Sequence, residues 1–280
     1  MNTGKNMGNN PLGRETDYNT MYNPEILFPV ERSKGRQSSG ITTTPFTGYD
    51  IWVSYEFSWL TYTGRPEVRR MLIVYDCLSE NIVESKSLKL YLGSLSMTKF
   101  KSEEEVVNLV KKDVGKCLGS DNLEIFLFTS DKSLNYTRID DEYCLDDLDI
   151  KISEYKYNPS LLECEDFPGR KCSDKFFSNL FKSNCPITGQ PDWATVFIEY
   201  SSEKRIKRAS LLKYLISFRS HSDYTENCCE RIFHDIYRFT NPEILIVKCF
   251  FTRRGGIEIN PCRFYGVHPD KNFTAHYWRQ

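Results

Sequence analysis

Nothing in this 280-residue sequence approaches the run of about 18 apolar residues that a membrane-spanning helix needs. The opening MNTGKNMGNN lacks the apolar core of a secretory signal, so a cytoplasmic location is expected. An excess of either charge is lacking too. Lys and Arg number 37 against 38 Asp and Glu, which offers no broad basic surface to nucleic acid or an anionic membrane. Histidine is scarce. His221, His234, His268 and His276 make no HExxH and no Cys/His cluster at zinc spacing, so no metal is expected. No GxGxxG follows a strand-like segment, which leaves a Rossmann domain unsupported. Ten cysteines are many, but none forms a CxxC pair, and adjacent Cys228 and Cys229 are badly placed to bridge each other. They read as reduced thiols.

What is present is the make-up of a soluble folded chain, 40% hydrophobic and 27% charged. Residues 1–45, rich in Asn, Gly, Thr and Pro, show no sustained period and read as an extended arm. In residues 50–60, Val53, Tyr55, Phe57 and Trp59 alternate with polar side chains, which predicts a strand with one buried face. A turn at Thr63-Gly64-Arg65-Pro66 leads to a second strand over 69–76. Residues 102–118 read as a helix, capped by Ser102 with Glu105 and stopped by Gly119. Strands are predicted over 122–128 and 150–157. In the second half a strand is predicted over 192–200, then a helix from Thr225 to Pro242. A hairpin over 243–264 turns at Gly255-Gly256.

This order repeats, and so do residues. SLKLYLGSLSMTKFKSEEEV (87–106) aligns without gaps on SLLKYLISFRSHSDYTENCC (210–229). A duplicated α+β unit follows, each copy laying helices on one face of an antiparallel sheet. The expected division is an arm (1–45), a first unit (46–157), a linker with a short helix (158–182) and a second unit (183–280). Open sheet edges invite pairing with a second copy, so a homodimer is expected.

Four segments could carry chemistry. In SNCPITGQPDW (183–193), Cys185 sits in a loop and Asp192 opens a strand. A loop thiol with a nearby acid could add to an unsaturated carbon and protonate its neighbour; a buried cysteine beside an exposed Asp is the bland alternative. ESKSLK (84–89) could offer Glu84 to a guanine-like edge and its lysines to phosphate, or simply form a polar turn. Glu226 opens the second-half helix, where the helix dipole alone favours Glu. Thr252-Arg253-Arg254-Gly255-Gly256 could hold a phosphate or stand as an exposed hairpin tip.

Together these segments resemble the long, two-unit form of the NADPH-dependent 7-cyano-7-deazaguanine reductases of queuosine biosynthesis. The likeness runs from LGRETDY near residue 12 to TRRGGIEINP near residue 261. It implies tandem tunnelling-fold units whose sheets join into a barrel on oligomerisation. It implies reduction of a deazapurine nitrile to an aminomethyl group, with Cys185 forming a covalent thioimide and Asp192 donating the proton. It assigns Ile82, Val83, Glu84, Thr225 and Glu226 to the substrate, and Ser85, Lys86, Arg254 and Gly255 to NADPH. The partner implied is a small deazapurine, with no direct contact to nucleic acid or membrane.

One residue departs from the family pattern. Thr225 stands where His is usual, and unlike His it cannot change charge near neutral pH. Ser102 holds the matching place in the first copy, so Thr225 is expected to cap its helix. Two other readings stay open: a non-catalytic or altered purine-binding protein of the same fold, and a cyclohydrolase, whose chemistry needs zinc.

Overall fold

In the computed structural model residues 21–129 and 140–269 are described, so the ends of the expected arm and second unit, 1–20 and 270–280, lie outside the described residues. Most elements come twice in the same order, a helix at Arg32–Ser38 and a strand at Lys99–Phe100 occurring in the first copy alone among the described residues. Asn23 caps a 3-10 turn at Pro24–Ile26, then come β1 (Pro29–Glu31) and α1 (Arg32–Ser38). Next follow the hairpin β2 (Thr47–Thr61) and β3 (Pro66–Asp76), short β4 (Asn81–Val83) and α2 (Ser85–Ser94). The first copy ends with β5 (Lys99–Phe100), α3 (Glu103–Leu118) and β6 (Leu123–Phe128). In the second copy Asn158 caps Pro159–Leu161, then come β7 (Cys164–Asp166), β8 (Cys172–Asn184), β9 (Pro191–Ser202) and β10 (Lys204–Ile206). The chain closes with α4 (Arg208–Ser217), α5 (Thr225–Thr240), β11 (Ile244–Phe251) and β12 (Ile257–Tyr265).

The duplication extends to hydrogen bonds. In the first copy Tyr22 and Tyr91 both donate to Asp113, at 2.8 and 2.7 Å. In the second, Tyr157 and Tyr214 both donate to Asp235. Ser87 Oγ accepts from the Phe28 amide as Ser210 Oγ does from Glu163. These bonds pin the three-residue strands, too short to stand alone, onto α2 and α4.

The long strands form one antiparallel sheet in the order β6-β3-β2-β12-β11-β9-β8, with β5 added in parallel to β2. The copies join where β12 pairs with β2, Ile259 opposite Trp52. The helices lie on one face. Trp52, Trp59, Tyr91 and Val106 belong to one core, and Phe181, Tyr214, Phe233 and Val247 to the other. Tyr49, Ile51, Leu72, Cys262 and Phe264 form a third cluster on the opposite face. This is the expected α+β architecture with helices on one side of an antiparallel sheet.

Most expected elements stand. The α3 N-terminus keeps its cap, Ser102 accepting from the Glu105 amide, although Glu105 reaches back to Lys101 rather than to Ser102. Gly119 takes the left-handed conformation that ends α3, at φ 64°. Gly255 and Gly256, at φ 62° and 82°, make the last hairpin turn. Three expectations change. Residues 150–157 form no strand: their side chains alternate in burial, but the Tyr155 carbonyl is bound by the Ser220 amide rather than by a neighbouring strand. Residues 158–182, expected as a linker with a short helix, carry a 3-10 turn, β7 and most of β8, an edge strand of the main sheet. Part of the expected arm is ordered structure, with Arg32 of α1 buried. All ten cysteines are free. Among the described residues no helix is long and apolar enough to cross a membrane.

Candidate active site

Four chain ends converge at the join between the copies: the β8–β9 turn, the first turn of α5, the β4–α2 junction and the β11–β12 turn. The first carries Cys185 and Asp192. The Cys185 amide donates to the Gln190 carbonyl at 2.8 Å and its carbonyl accepts from Gly189 at 3.0 Å, so the loop is closed by backbone bonds. Asn184 ties the loop to the α5 entrance by donating to the His221 carbonyl through both amide and side chain. Pairing of Ser183 with Asp192 brings the acid back alongside the strand that ends at the thiol.

Cys185 and Asp192 line one small cavity with Trp52, Val83, Ser85, Asp223, Tyr224, Thr225, Glu226, Arg254 and Ile259. Its volume, about 20 Å³, suits one water rather than a bicyclic base, so a base must displace lining side chains to enter. A second space of about 30 Å³ adjoins it, sharing Ser85, Asp192, Thr225, Arg254 and Ile259. Two lining residues hold a buried polar atom without a partner, Trp52 Nε1 and Glu226 Oε1, while Arg254 Nη1 makes no hydrogen bond but pairs with Asp192. Buried polar groups are normally paired, so an open donor and an open acceptor around one cavity suit a ligand that carries both.

The two acids differ in environment. Burial pushes the Asp192 carboxyl up, against the pull of Arg254, whose Nη1 lies 3.2 Å away, and of Lys182. Burial pushes Glu226 up to about 7, and Asp50 adds to this; Arg32 and the Thr225 hydroxyl pull the other way. Beneath Glu226 lies a network that sequence reading missed. Asp50 binds Arg32 and Arg263 at 2.5 and 2.8 Å, and Glu230 binds Arg36 and Arg263. With Glu226 ionised, three cations face three anions. The available signal was a pair of charges, Asp50 and Arg263, on the strand positions that alternate in step with the helix-facing Trp52 and Ile259.

Of the residues singled out from sequence, Val83, Ser85, Cys185, Asp192, Thr225, Glu226 and Arg254 meet at the cavity. Ile82, Glu84, Lys86 and Gly255 do not line it. Ile82 is buried in the β1–β4 pair opposite Val30. Glu84 caps α2, accepting from the Lys86 and Ser87 amides at 2.9 and 2.8 Å. Gly255 lines a neighbouring cleft. Thr225 is not the helix cap expected of it. Tyr224 holds that position, and the Thr225 hydroxyl donates to Glu226 at 3.0 Å. Thr225→Val removes this donor, so the Glu226 carboxyl climbs further. The fall in stability that accompanies ionisation of the buried Glu226 then continues to higher pH, read from the melting temperature against pH.

Comparison with known proteins decides the family. Residues 18–125 match the N-terminal family of nitrile reductase, 7-cyano-7-deazaguanine reductase, and residues 191–269 match the QueF-like protein family. The NADPH-dependent 7-cyano-7-deazaguanine reductase of Legionella pneumophila (strain Lens) is 44% identical, over 90% of this chain and 88% of its own. That of Bordetella bronchiseptica is 42% identical, over 92% and 93%. The chain belongs to the NADPH-dependent 7-cyano-7-deazaguanine reductase family. Both matched segments contribute to the cavity of this chain, Ser85 from the first and Asp192 and Glu226 from the second, while Cys185 lies between them. The archaeosine synthase QueF-Like in the apo form also aligns, at 20% identity and TM-score 0.31 over 35% of this chain and 96% of its own.

Proposed function

We propose that this chain reduces the nitrile of 7-cyano-7-deazaguanine to an aminomethyl group with NADPH, a step of queuosine biosynthesis, through a thioimide on Cys185. The observation that carries the proposal is the shared cavity of Cys185, Asp192 and Glu226. The sulfur bonds to the nitrile carbon, Asp192 passes its proton to the nitrogen, and the thiol proton restores the acid. Glu226 supplies the acceptor for the N–H edge of the base, its Oε1 having no other partner. Val83 and Thr225 border the base, while Ile82 and Glu84 fix the β4–α2 junction behind it.

The residues present fit a dinucleotide: the Arg254 guanidinium, paired with Asp192 at 3.2 Å, brings a positive charge to the site, and the Gly255–Gly256 turn exposes backbone beside it. Arg254 and Gly255 would hold NADPH together with Ser85 and Lys86. Two NADPH molecules, bound in succession, would each supply one of the two hydrides that a four-electron reduction requires. After the first hydride the carbon would still be bonded to the Cys185 sulfur as a hemithioaminal, which keeps the half-reduced substrate from leaving until the C–S bond breaks to give the imine that takes the second hydride. Ten free thiols suit the reducing cytoplasm. Edge strands β6 and β8 suit closure of the sheet by a second copy.

The test is the intact mass of the protein after incubation with the nitrile and no NADPH. A gain of one whole substrate is expected. An unchanged mass would leave a purine-binding role without covalent chemistry.

A further inference from the structure

α1 has no counterpart in the second copy among the described residues, and its packing brings a cation beneath the site. Gly35 lies so close to the first turn of α5 that a Cβ there would sit 2.3 Å from Asn227 Nδ2. Asn227 follows Glu226, so α1 is pressed against the turn that carries this carboxyl. Arg32, at the start of α1, runs inward and is 3% exposed. Its Nε donates to Ser79 Oγ at 3.1 Å and its Nη2 to Asp50 at 2.5 Å, with the guanidinium 5.7 Å over the Tyr75 ring. Its Nη1 makes no hydrogen bond and has a 3.8 Å ion pair with Glu230, whose oxygens Arg36 and Arg263 already occupy.

The charges do not balance without Glu226. Burial raises the Asp50 and Glu230 carboxyls, but their arginines hold both below the ordinary carboxylate range, so both are anions. Arg32, Arg36 and Arg263 then leave one positive charge over. A buried charge is costly unless an opposite charge joins it. Glu226 is that anion: it is 1% exposed, has an open oxygen and feels both Asp50 and Arg32. The other ionisable groups about it are otherwise engaged. Burial keeps the Tyr75 and Tyr224 phenols neutral, Arg254 pairs with Asp192, Asp223 faces His221 and Arg231, and Cys185 lies across the cavity. We infer that Arg32 is a positioning residue for the proposed reaction, set against Asp50 so that Glu226 is kept an anion for the base to bind. The inference rests on the reading of Glu226 as the acceptor for the base and adds what holds its charge.

The experiment is KM and kcat for the deazapurine nitrile against pH, on the full chain and its variants. Arg32→Met keeps an apolar stem and loses the cation. The acid limb of KM is expected about one unit higher, so that KM near neutral pH rises about tenfold with kcat unchanged. Asp50→Asn removes the opposing anion, and the limb is expected to move the other way, to lower pH. Damaged packing would raise KM in both variants and move the limb in neither. In the double variant, two cations face two anions with Glu226 ionised, and the limb is expected back at its wild-type position. An unmoved limb in Arg32→Met, or movement in the same direction in both single variants, overturns the inference alone. If Arg32→Met does not fold, Asp50→Asn decides: a limb that fails to move to lower pH overturns the inference. A wild type whose KM has no acid limb, or that reduces no nitrile, overturns the underlying reading as well.

Discussion

Cys185→Ala lowers turnover by about 10⁴-fold or more and leaves no covalent adduct, whereas Asp192→Asn keeps the thiol and lowers turnover by about 10²–10⁴-fold. The first loss is not a folding effect. The loop around Cys185 is closed by its backbone amide and carbonyl, which Ala retains, and the swap removes only a sulfur from a site 3% exposed. The second loss has a signature of its own. Burial raises the Asp192 carboxyl, which favours the protonated form that the nitrile nitrogen needs, while Arg254 and Lys182 oppose it. Turnover therefore falls as pH rises through that carboxyl's pKa, because the proton is gone. Asn has no such proton, so the alkaline limb of kcat/KM against pH disappears in Asp192→Asn. Retention of that limb would show that another group supplies the proton.

The parts of this site that sequence reading reached are those with local causes. Cys185 and Asp192 flank a turn marked by Pro186, Gly189 and Pro191, so their approach follows from a hairpin that residues seven apart can close. Glu226 opens a helix whose stripe through Cys229, Ile232, Phe233 and Ile236 is plain in the sequence. The short elements were not legible. β1 and β7 are three residues each and exist because Ser87 and Ser210, 59 and 47 residues away, hold the chain beside them. Alternation misled at 150–157, since a period of two reports which side is covered and says nothing about a strand partner. Glu84 looked like a ligand for a base because acceptors recognise N–H edges. Its position one residue before α2 gives it nearer amides to accept from. The Arg32–Asp50–Arg263–Glu230–Arg36 network joins residues up to 231 positions apart, and no spacing rule reaches that far.

Glu226→Gln raises KM for the deazapurine about ten- to a hundredfold and makes the folded protein more stable above neutral pH. Both follow from one carboxyl that is 1% exposed and has an oxygen with no partner. On the proposed reading the ionised form accepts from the base in the wild type. Below pH 7 protonation removes that acceptor, so KM climbs about tenfold per pH unit. In Glu226→Gln the climb is absent, because Gln does not titrate. The stability effect has the opposite sense. Burial raises this carboxyl from its ordinary 4.5 to about 7, so between those values the folded chain binds the proton more tightly than the unfolded one. Wild-type stability therefore declines as pH rises through that window, and above pH 7 the deficit reaches about 3 kcal/mol. Gln carries no such deficit. The melting temperatures of the two proteins should coincide near pH 4.5, and Glu226→Gln should melt several degrees higher at pH 8. A gain in stability at the expense of substrate affinity marks a charge kept buried for binding. If the variant instead melts lower at pH 8 with KM unmoved, Glu226 serves the charged network beneath it and another group reads the base.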